Sequence, residues 1–373
     1  MSLRSLLLSS DEKTVKVLRR VLSDLEISVD YCSTSEAALR KLTRQRFEAV
    51  IVDCSNLDEA RAVLKSAQSS PANNRAVAII LVEASVGLRG GFEMGGHFVL
   101  HKPLSGERAR SSFRAVRALM KRERRRQARV AVQLPVECRG LKSGDHYKAH
   151  TIDLCEGGMA VQFQGHFVKE GSLRFSLDLP GTKIKLELEG EVAWEGHPGQ
   201  AGVRFKNVPD ERLFLLRRWL GSQLPELEQD DPPLNCRLSD LSLGGCYLET
   251  NSPFCVRTRV ILSLKTGEFK AWARGVVRIM HPEFGMGIEF SQSTPAQHEQ
   301  VHAMIEMLRA GGESAAELKV EPDGLETMAE DSAAGEWPEA EDSLVELFRQ
   351  KTDVPIEAFL QQMRQQRRVV ELK

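Results

Sequence analysis

One short phrase occurs twice in this chain. Residues 151–163 read TIDLCEGGMAVQF, and residues 238–250 read LSDLSLGGCYLET. The same features follow each copy in the same order. A strand-like run carries Gly-x-Val, at Gly190-Glu191-Val192 and at Gly275-Val276-Val277. A glycine-bearing strand comes next, at residues 201–205 and 286–290, and then a helical stretch near 210–220 and 296–308. Self-similarity of this kind means one domain built twice. Runs such as 132–138 (VQLPVEC) and 183–189 (KIKLELE) alternate apolar with polar residues, punctuated by Gly and Pro. That period of two predicts antiparallel barrels with one face inside and one in water.

The texture before residue 120 is different. Apolar runs at 3–8 (LRSLLL), 49–53 (AVIVD), 76–82 (AVAIILV) and 97–102 alternate with helical patterns such as Val15, Leu18, Val21 and Leu22. Ser33 and Glu36 read as a capping box opening one of these helices. Buried strands alternating with amphipathic helices predict a parallel sheet covered on both faces. The expected architecture is therefore multidomain. It has an α/β domain of (βα)5 type at 1–120 and antiparallel barrels at 121–222 and 223–310. An acidic linker at 311–342 and a C-terminal amphipathic helical segment at 343–373 complete it. The linker expectation rests on its Glu, Asp, Ala and Gly content, which buries too little apolar surface to offset ordering entropy. In the last segment Ile356, Phe359, Leu360 and Met363 line one helical face that wants a partner.

Bulk properties narrow the function classes. The 373 residues carry a formal net charge of −1, so whole-chain charge predicts no nucleic-acid partner. The seven cysteines are scattered without a CxxC, which argues against a disulfide framework or a zinc site and fits a reducing cytoplasm. No apolar run approaches a membrane span, and the N-terminal run is too short for a secretory leader. No P-loop, GxSxG or HExxH motif occurs, so nothing here predicts an enzyme.

With Asp53 ending an apolar strand and Lys102-Pro103 following another, residues 1–120 resemble the receiver domain of response regulators. That resemblance implies Asp53 as phosphoacceptor, Lys102 as its contact, and Mg²⁺ to screen the charge. This chain departs from the pattern. Ser9-Ser10 stand where receivers carry an acidic pair, and Glu83 lies near the position of the switch hydroxyl. Two serines are poor ligands for a hard cation, so no metal is expected. The domain is then expected to act by contact, through dimerisation or by docking a partner protein.

Residues 121–130 read KRERRRQARV, and Asp153-x-Cys155-x-x-Gly158 follows. The pairing of Arg125-x-x-x-Arg129 with this turn resembles the PilZ family, whose motifs are RxxxR and [D/N]xSxxG. The resemblance covers about 122–222, with Trp194 and the 202–205 strand. It implies binding of cyclic diguanylate, with Arg125, Arg129, Asp153, Cys155, Gly158 and the neighbouring Arg124 and Arg126 as the ligand set. Arginine forks suit phosphates and the O6/N7 edge of guanine, and a carboxylate accepts from guanine N–H groups. The departure is Cys155, a weaker donor than the family's serine. GGDEF-type and EAL-type signatures of cyclic diguanylate turnover are missing.

In the second copy Asp240-x-Ser242-x-x-Gly245 matches the turn motif, but residues 224–234 (LPELEQDDPPL) are acidic where arginines are needed. A ligand-free barrel with a turn held by Asp240 and Ser242 is expected. The leading reading is a cyclic diguanylate effector that turns binding at the first barrel into rearrangement between domains or partners. A ligand-independent scaffold and a regulator phosphorylated at Asp53 are the other two.

Overall fold

The computed structural model describes residues 2–83, 91, 94–141, 143–164, 172–182, 184–223, 230–266, 269–310, 317–326, 343–350 and 356–370. The chain divides into two compact units. One holds residues 124–229, and the other joins residues 2–123 to residues 230–373.

The N-terminal domain alternates β1 (Leu3–Leu8), α1 (Glu12–Asp24), β2 (Ile27–Cys32), α2 (Ser35–Arg44), β3 (Ala49–Asp53), α3 (Leu57–Ser69), β4 (Val77–Glu83) and β5 (Phe98–Lys102). Its strands are parallel in the order β2-β1-β3-β4-β5. This is the doubly wound order of flavodoxin-like and receiver sheets. Both faces are buried: Leu7, Ile51 and Ile79 point into one core, Leu6, Val50 and Ile80 into the other. Helix starts are set by short polar caps. Asp11 caps α1 and Thr34, rather than Ser33, caps α2 by accepting from the Ala37 amide. Thr34 is the last extended residue before the helix, which is the geometry a cap needs.

A long helix, α4 (Gly106–Gln127), ends this domain and carries the arginine run in its last turn. The first barrel follows as β6 (Val130–Ala131), β7 (Pro135–Gly140), β8 (His146–Cys155), β9 (Gly158–Phe163), β10 (Leu173–Asp178), β11 (Lys185–Glu195) and β12 (Gln200–Lys206). Strands β8-β7-β10-β11-β12-β9 close through the β8–β9 pairing, and β6 adds to the outside of β8. Helix α5 (Asp210–Gln223) plugs it with Leu216, Trp219 and Leu220.

The second barrel contains β13 (Leu234–Leu241), β14 (Gly245–Glu249), β15 (Thr258–Thr266), β16 (Phe269–His281), β17 (Gly285–Phe290) and helix α6 (Pro295–Ala310). The two copies agree down to their bulges. Two residues face one at Thr151–Asp153 and at Leu238–Asp240, and again at Val192–Trp194 and Val277–Ile279. They differ in closure. In the first barrel β7 precedes β8 and sits between β8 and β10. In the second, the place between β13 and β15 is filled by β18 (Glu317–Leu325), which comes after the helix. The second barrel is thus closed by a circularly permuted strand.

That strand corrects the expectation of a linker over 311–342. Leu318 and Val320 are fully buried while Lys319 between them is exposed, a period-two signal that the acidic composition hid. Residues 311–316 and 327–342 lie outside the described residues. The second barrel accordingly runs to Leu325 rather than ending at 310. The last segment forms α7 (Ser343–Gln350) and α8 (Ile356–Val370). Among the described residues, no helix is long and apolar enough to cross a membrane. All seven cysteines are buried, unpaired thiols. Burial pushes Cys54 and Cys236 up to about 11 and Cys138 to about 12, so these sulfurs stay protonated.

Helix α4 is bound to the permuted strand by buried charges. The Leu325 amide donates to Glu123 Oε1 at 2.7 Å, and Arg122 meets Asp323 at 3.5 Å. Arg75 approaches the other Glu123 oxygen at 3.5 Å. Nearer the helix middle, Asp231 accepts from Arg117 at 2.7 Å and from Lys121 at 2.8 Å. Removing one member of a buried charged set costs roughly 3–5 kcal/mol, because its partner is left desolvated and unpaired. Glu123→Ala should therefore loosen β18 while leaving β7 intact. Hydrogen exchange by mass spectrometry should show faster exchange at residues 318–325 only; unchanged β18 amides would mean that its ladder alone holds it.

Candidate functional site

The two motifs of the first barrel meet because β6 is short and exact in register. Val130 pairs with Leu154 and Ala131 with Asp153 on β8. Arg129, one residue earlier, is therefore delivered to Asp153, and its Nη1 donates to Oδ1 at 2.6 Å. The same carboxylate oxygen accepts from the Ala160 amide at 3.1 Å. The pair is partly exposed, with Arg129 nearly half open to solvent, so solvent screens it and leaves it little net stabilising weight.

The bulge at Ile152 turns Asp153 outward, and the bulge at Ala193 does the same for Trp194. Register then places Asp153, Ala160, Gly202 and Trp194 in one row across β8, β9, β12 and β11. Trp194 is 43% exposed and leans back over Gly202. A Cβ built at Gly202 would fall inside its indole ring. The row is thus a flat floor of small residues, with a carboxylate and an arginine at one end and an open aromatic ring at the other.

The remaining motif residues divide between this face and its support. Arg125 lies on the last turn of α4 with its guanidinium against α5, where Nη2 comes within 2.5 Å of a Cβ built at Gly221. Arg124 and Arg126 are half-buried on the same turn. Cys155 is buried and turned inward, its thiol reaching the Gly158 carbonyl at 3.2 Å. In the second barrel Ser242 makes the matching contact to the Gly245 carbonyl at 3.1 Å, so this position closes the turn in both copies. A Cβ at Gly158 would strike the Val203 carbonyl, and one at Gly245 the Ile288 carbonyl. The glycine is therefore demanded by the close approach of two strands, in the barrel with arginines and in the one without.

One support is invisible in the motif. Glu156, inside the turn, is buried and pairs with Arg217 of α5 at 3.3 Å. The spacing of Arg217 is wrong for the second barrel's site, and its partner proves to be the first barrel's turn. No sequence pattern marks that contact, since 61 residues separate the two.

In the second barrel the Asp240 carboxylate accepts from the Leu241 amide at 2.9 Å, and Ser242 Oγ accepts from the Gly245 amide at 3.0 Å. Asp231, in the acidic stretch that replaces the arginine motif, faces Arg117 and Lys121.

In the N-terminal domain Asp53 and Lys102 meet at 2.9 Å, both nearly inaccessible. The other Asp53 oxygen accepts from Ser9 Oγ at 2.7 Å. Lys102 also pairs with Glu83 at 2.8 Å. Burial works against its charge, but hydrogen bonds and Coulombic pull from Glu83 and Asp53 outweigh burial and raise its pKa. Asp11, the acidic residue next to Ser10, is spent as the α1 cap and accepts from Thr14 at 2.6 Å. Among the described residues no group of three or more His, Cys, Asp or Glu side chains could hold an ion. The Mg²⁺ of receivers does not fit this pocket, because serine supplies a donor where a hard cation needs anionic oxygen.

The PilZ domain family matches residues 123–222 and again 223–307. Among solved structures, the PilZ domain of CeSA from a cellulose-synthesizing bacterium is similar at 20% identity, over 25% of this chain and 95% of that one, with a TM-score of 0.22. A chemotaxis response regulator of Vibrio cholerae is similar at 17% identity, over 31% of this chain and 99% of its own, with a TM-score of 0.29. A receiver domain protein from Methanospirillum hungatei is similar at 16%, over 33% and 99%, with a TM-score of 0.30. No curated protein matches the chain. The chain consists of a receiver-like domain followed by two PilZ domains. PilZ domains form a family of cyclic diguanylate effectors.

The Asp53 pocket yields a direct expectation. Incubation with acetyl phosphate and Mg²⁺ should leave the intact mass unchanged, since Ser9 rather than a carboxylate stands beside Asp53 and gives Mg²⁺ no second anionic oxygen there. Stoichiometric labelling that disappears in Asp53→Asn would show a working phosphoacceptor.

Proposed function

Because this chain carries two PilZ domains, we propose that it is a cyclic diguanylate effector with one binding face, on the first barrel. The observation that carries the reading is the 2.6 Å contact between Arg129 and Asp153, which joins the arginine motif to the turn motif at the partly exposed end of the row. Arg125 and Arg129 supply forked donors for phosphate oxygens or for the O6/N7 edge of guanine. Asp153, an acceptor only, takes guanine N–H groups. Trp194 offers an open face on which a base stacks, a contact worth about 1–3 kcal/mol per base. Cys155, Gly158 and the Glu156–Arg217 pair hold the turn beneath. The second barrel offers no arginine pair, so it adds no nucleotide site.

The output follows from where the arginines sit. The Ala128 amide donates to the Arg125 carbonyl at 2.9 Å, which ends α4, and β6 begins just after Arg129. A ligand gripping both arginines fixes this joint and changes how the units or a partner protein are presented, a hinge type of switch. The receiver-like domain acts by contact rather than by phosphorylation.

Calorimetry with cyclic diguanylate should show one site per chain at micromolar or tighter affinity, roughly −8 kcal/mol or better. Arg129→Ala, Arg125→Ala and Asp153→Ala should each weaken binding by about tenfold or more, as expected for lost charge-assisted contacts. Asp240→Ala should leave both affinity and stoichiometry alone. A wild-type protein that ignores the ligand, or two matched losses at Asp153 and Asp240, would overturn this assignment.

A further inference from the structure

The row that carries the first barrel's site residues has a counterpart in the second barrel, and there it is covered. Register equates Asp240, Tyr247, Gly287 and Ile279 with Asp153, Ala160, Gly202 and Trp194. The bulky Tyr247 replaces a small floor residue, and an aliphatic side chain stands in the tryptophan's place. Helices α7 and α8 cover this row. The Phe348 ring, fully buried, lies over Gly287, where a built Cβ would come within 2.7 Å of it, and over Gly245 at 3.4 Å. Phe359, also fully buried, lies 5.3 Å from the Tyr247 ring and 4.7 Å from His281. Tyr247 and His281 share a 2.9 Å hydrogen bond that fixes both rings beneath it.

Three features distinguish this contact from a core. Leu344, Leu347, Phe348, Phe359 and Met363 form a cluster with Tyr247 and Ile279 that is separate from the barrel's main core. The six-strand ring is closed without it. Beside α8 the covered face also continues into an open cavity of about 530 Å³, lined by Arg237, Glu249, Phe284, Ile356 and Leu360 among others, with Phe284 more than half exposed. The tail's own Ile356 and Leu360 thus help to line a cavity that it leaves unfilled, so it lies on the barrel as an amphipathic helix lies in a groove that it fills only in part.

We infer that the second PilZ barrel is a helix-binding domain, that it uses the row on which the first barrel carries its nucleotide motif, and that the C-terminal helices are its resident, exchangeable ligand. The occupants are this chain's own α7 and α8, each of which contributes one aromatic anchor, Phe348 and Phe359. The assignment does not depend on nucleotide binding by the first barrel.

The test uses the full chain and a fluorescent peptide of residues 343–373, read by anisotropy. In the wild type the tethered tail competes at high effective concentration. Disabling it with Phe348→Ala and Phe359→Ala together should therefore raise peptide affinity by at least about tenfold. Adding Gly287→Leu, which fills the floor of the row, should abolish that gain. A second measurement needs no variant. Excess peptide should raise hydrogen exchange at residues 356–364 of the wild-type chain, as the resident tail is displaced. Cyclic diguanylate should alter neither result, whatever it does at the first barrel. Tail amides indifferent to saturating peptide, or displacement of the peptide by cyclic diguanylate, would overturn the inference.

Discussion

A barrel has no spare edge, and every strand in the ring must find a partner on both sides. In the first PilZ domain β7 meets that demand from the N-terminal side. In the second, the residues before β13 are an acidic, proline-containing stretch, and Asp231 within it is committed to Arg117 and Lys121 of α4. The vacancy is filled from the other end of the domain by β18, with the same two neighbour positions and the same antiparallel sense. Much of the remaining architecture follows. Because β18 carries Asp323 and the Leu325 amide, the closing strand is also the one that receives Arg122 and Glu123. The receiver-like domain and the second barrel are thereby parts of one compact unit, although a whole domain separates them in sequence.

The same long helix serves two ends. Its buried Arg122 and Glu123 belong to the unit with the receiver-like sheet, and Arg124–Arg126 on the next turn open the unit with the first barrel. In the Asp53–Lys102–Ser9 cluster at the end of the sheet, both Asp53 oxygens have protein partners.

Duplication shows which parts of the motif build the fold. The turn glycine, the inward Cys155 or Ser242, and both bulges occur in each barrel. Ala160, Gly202 and Trp194 on one row, against Tyr247, Gly287 and Ile279 on the other, are where the copies part. One row is small in its middle, polar at one end, and carries an exposed ring at the other. The other is apolar and lies under Phe348. A single strand geometry thus carries two different surfaces.

Strand and helix periodicity, the internal repeat and the paired motifs were local signals, so the sequence alone determined the class of each domain, the order of the domains and the candidate motif residues. Asp153 and Arg129 were legible because their spacing is tied to one short β6 pairing. The closing strand was not legible, because its apolar residues at 318, 320 and 325 sit in an acidic composition, and a sum over a window hides a period of two. Glu156 with Arg217, and Trp194 over Gly202, were decided by the tertiary structure alone. These contacts depend on barrel closure bringing distant strands and α5 together. The covering of the second row was decided there too: the apolar face of α8 called for a partner, but only packing could choose Tyr247, His281 and Gly287 as the surface it meets.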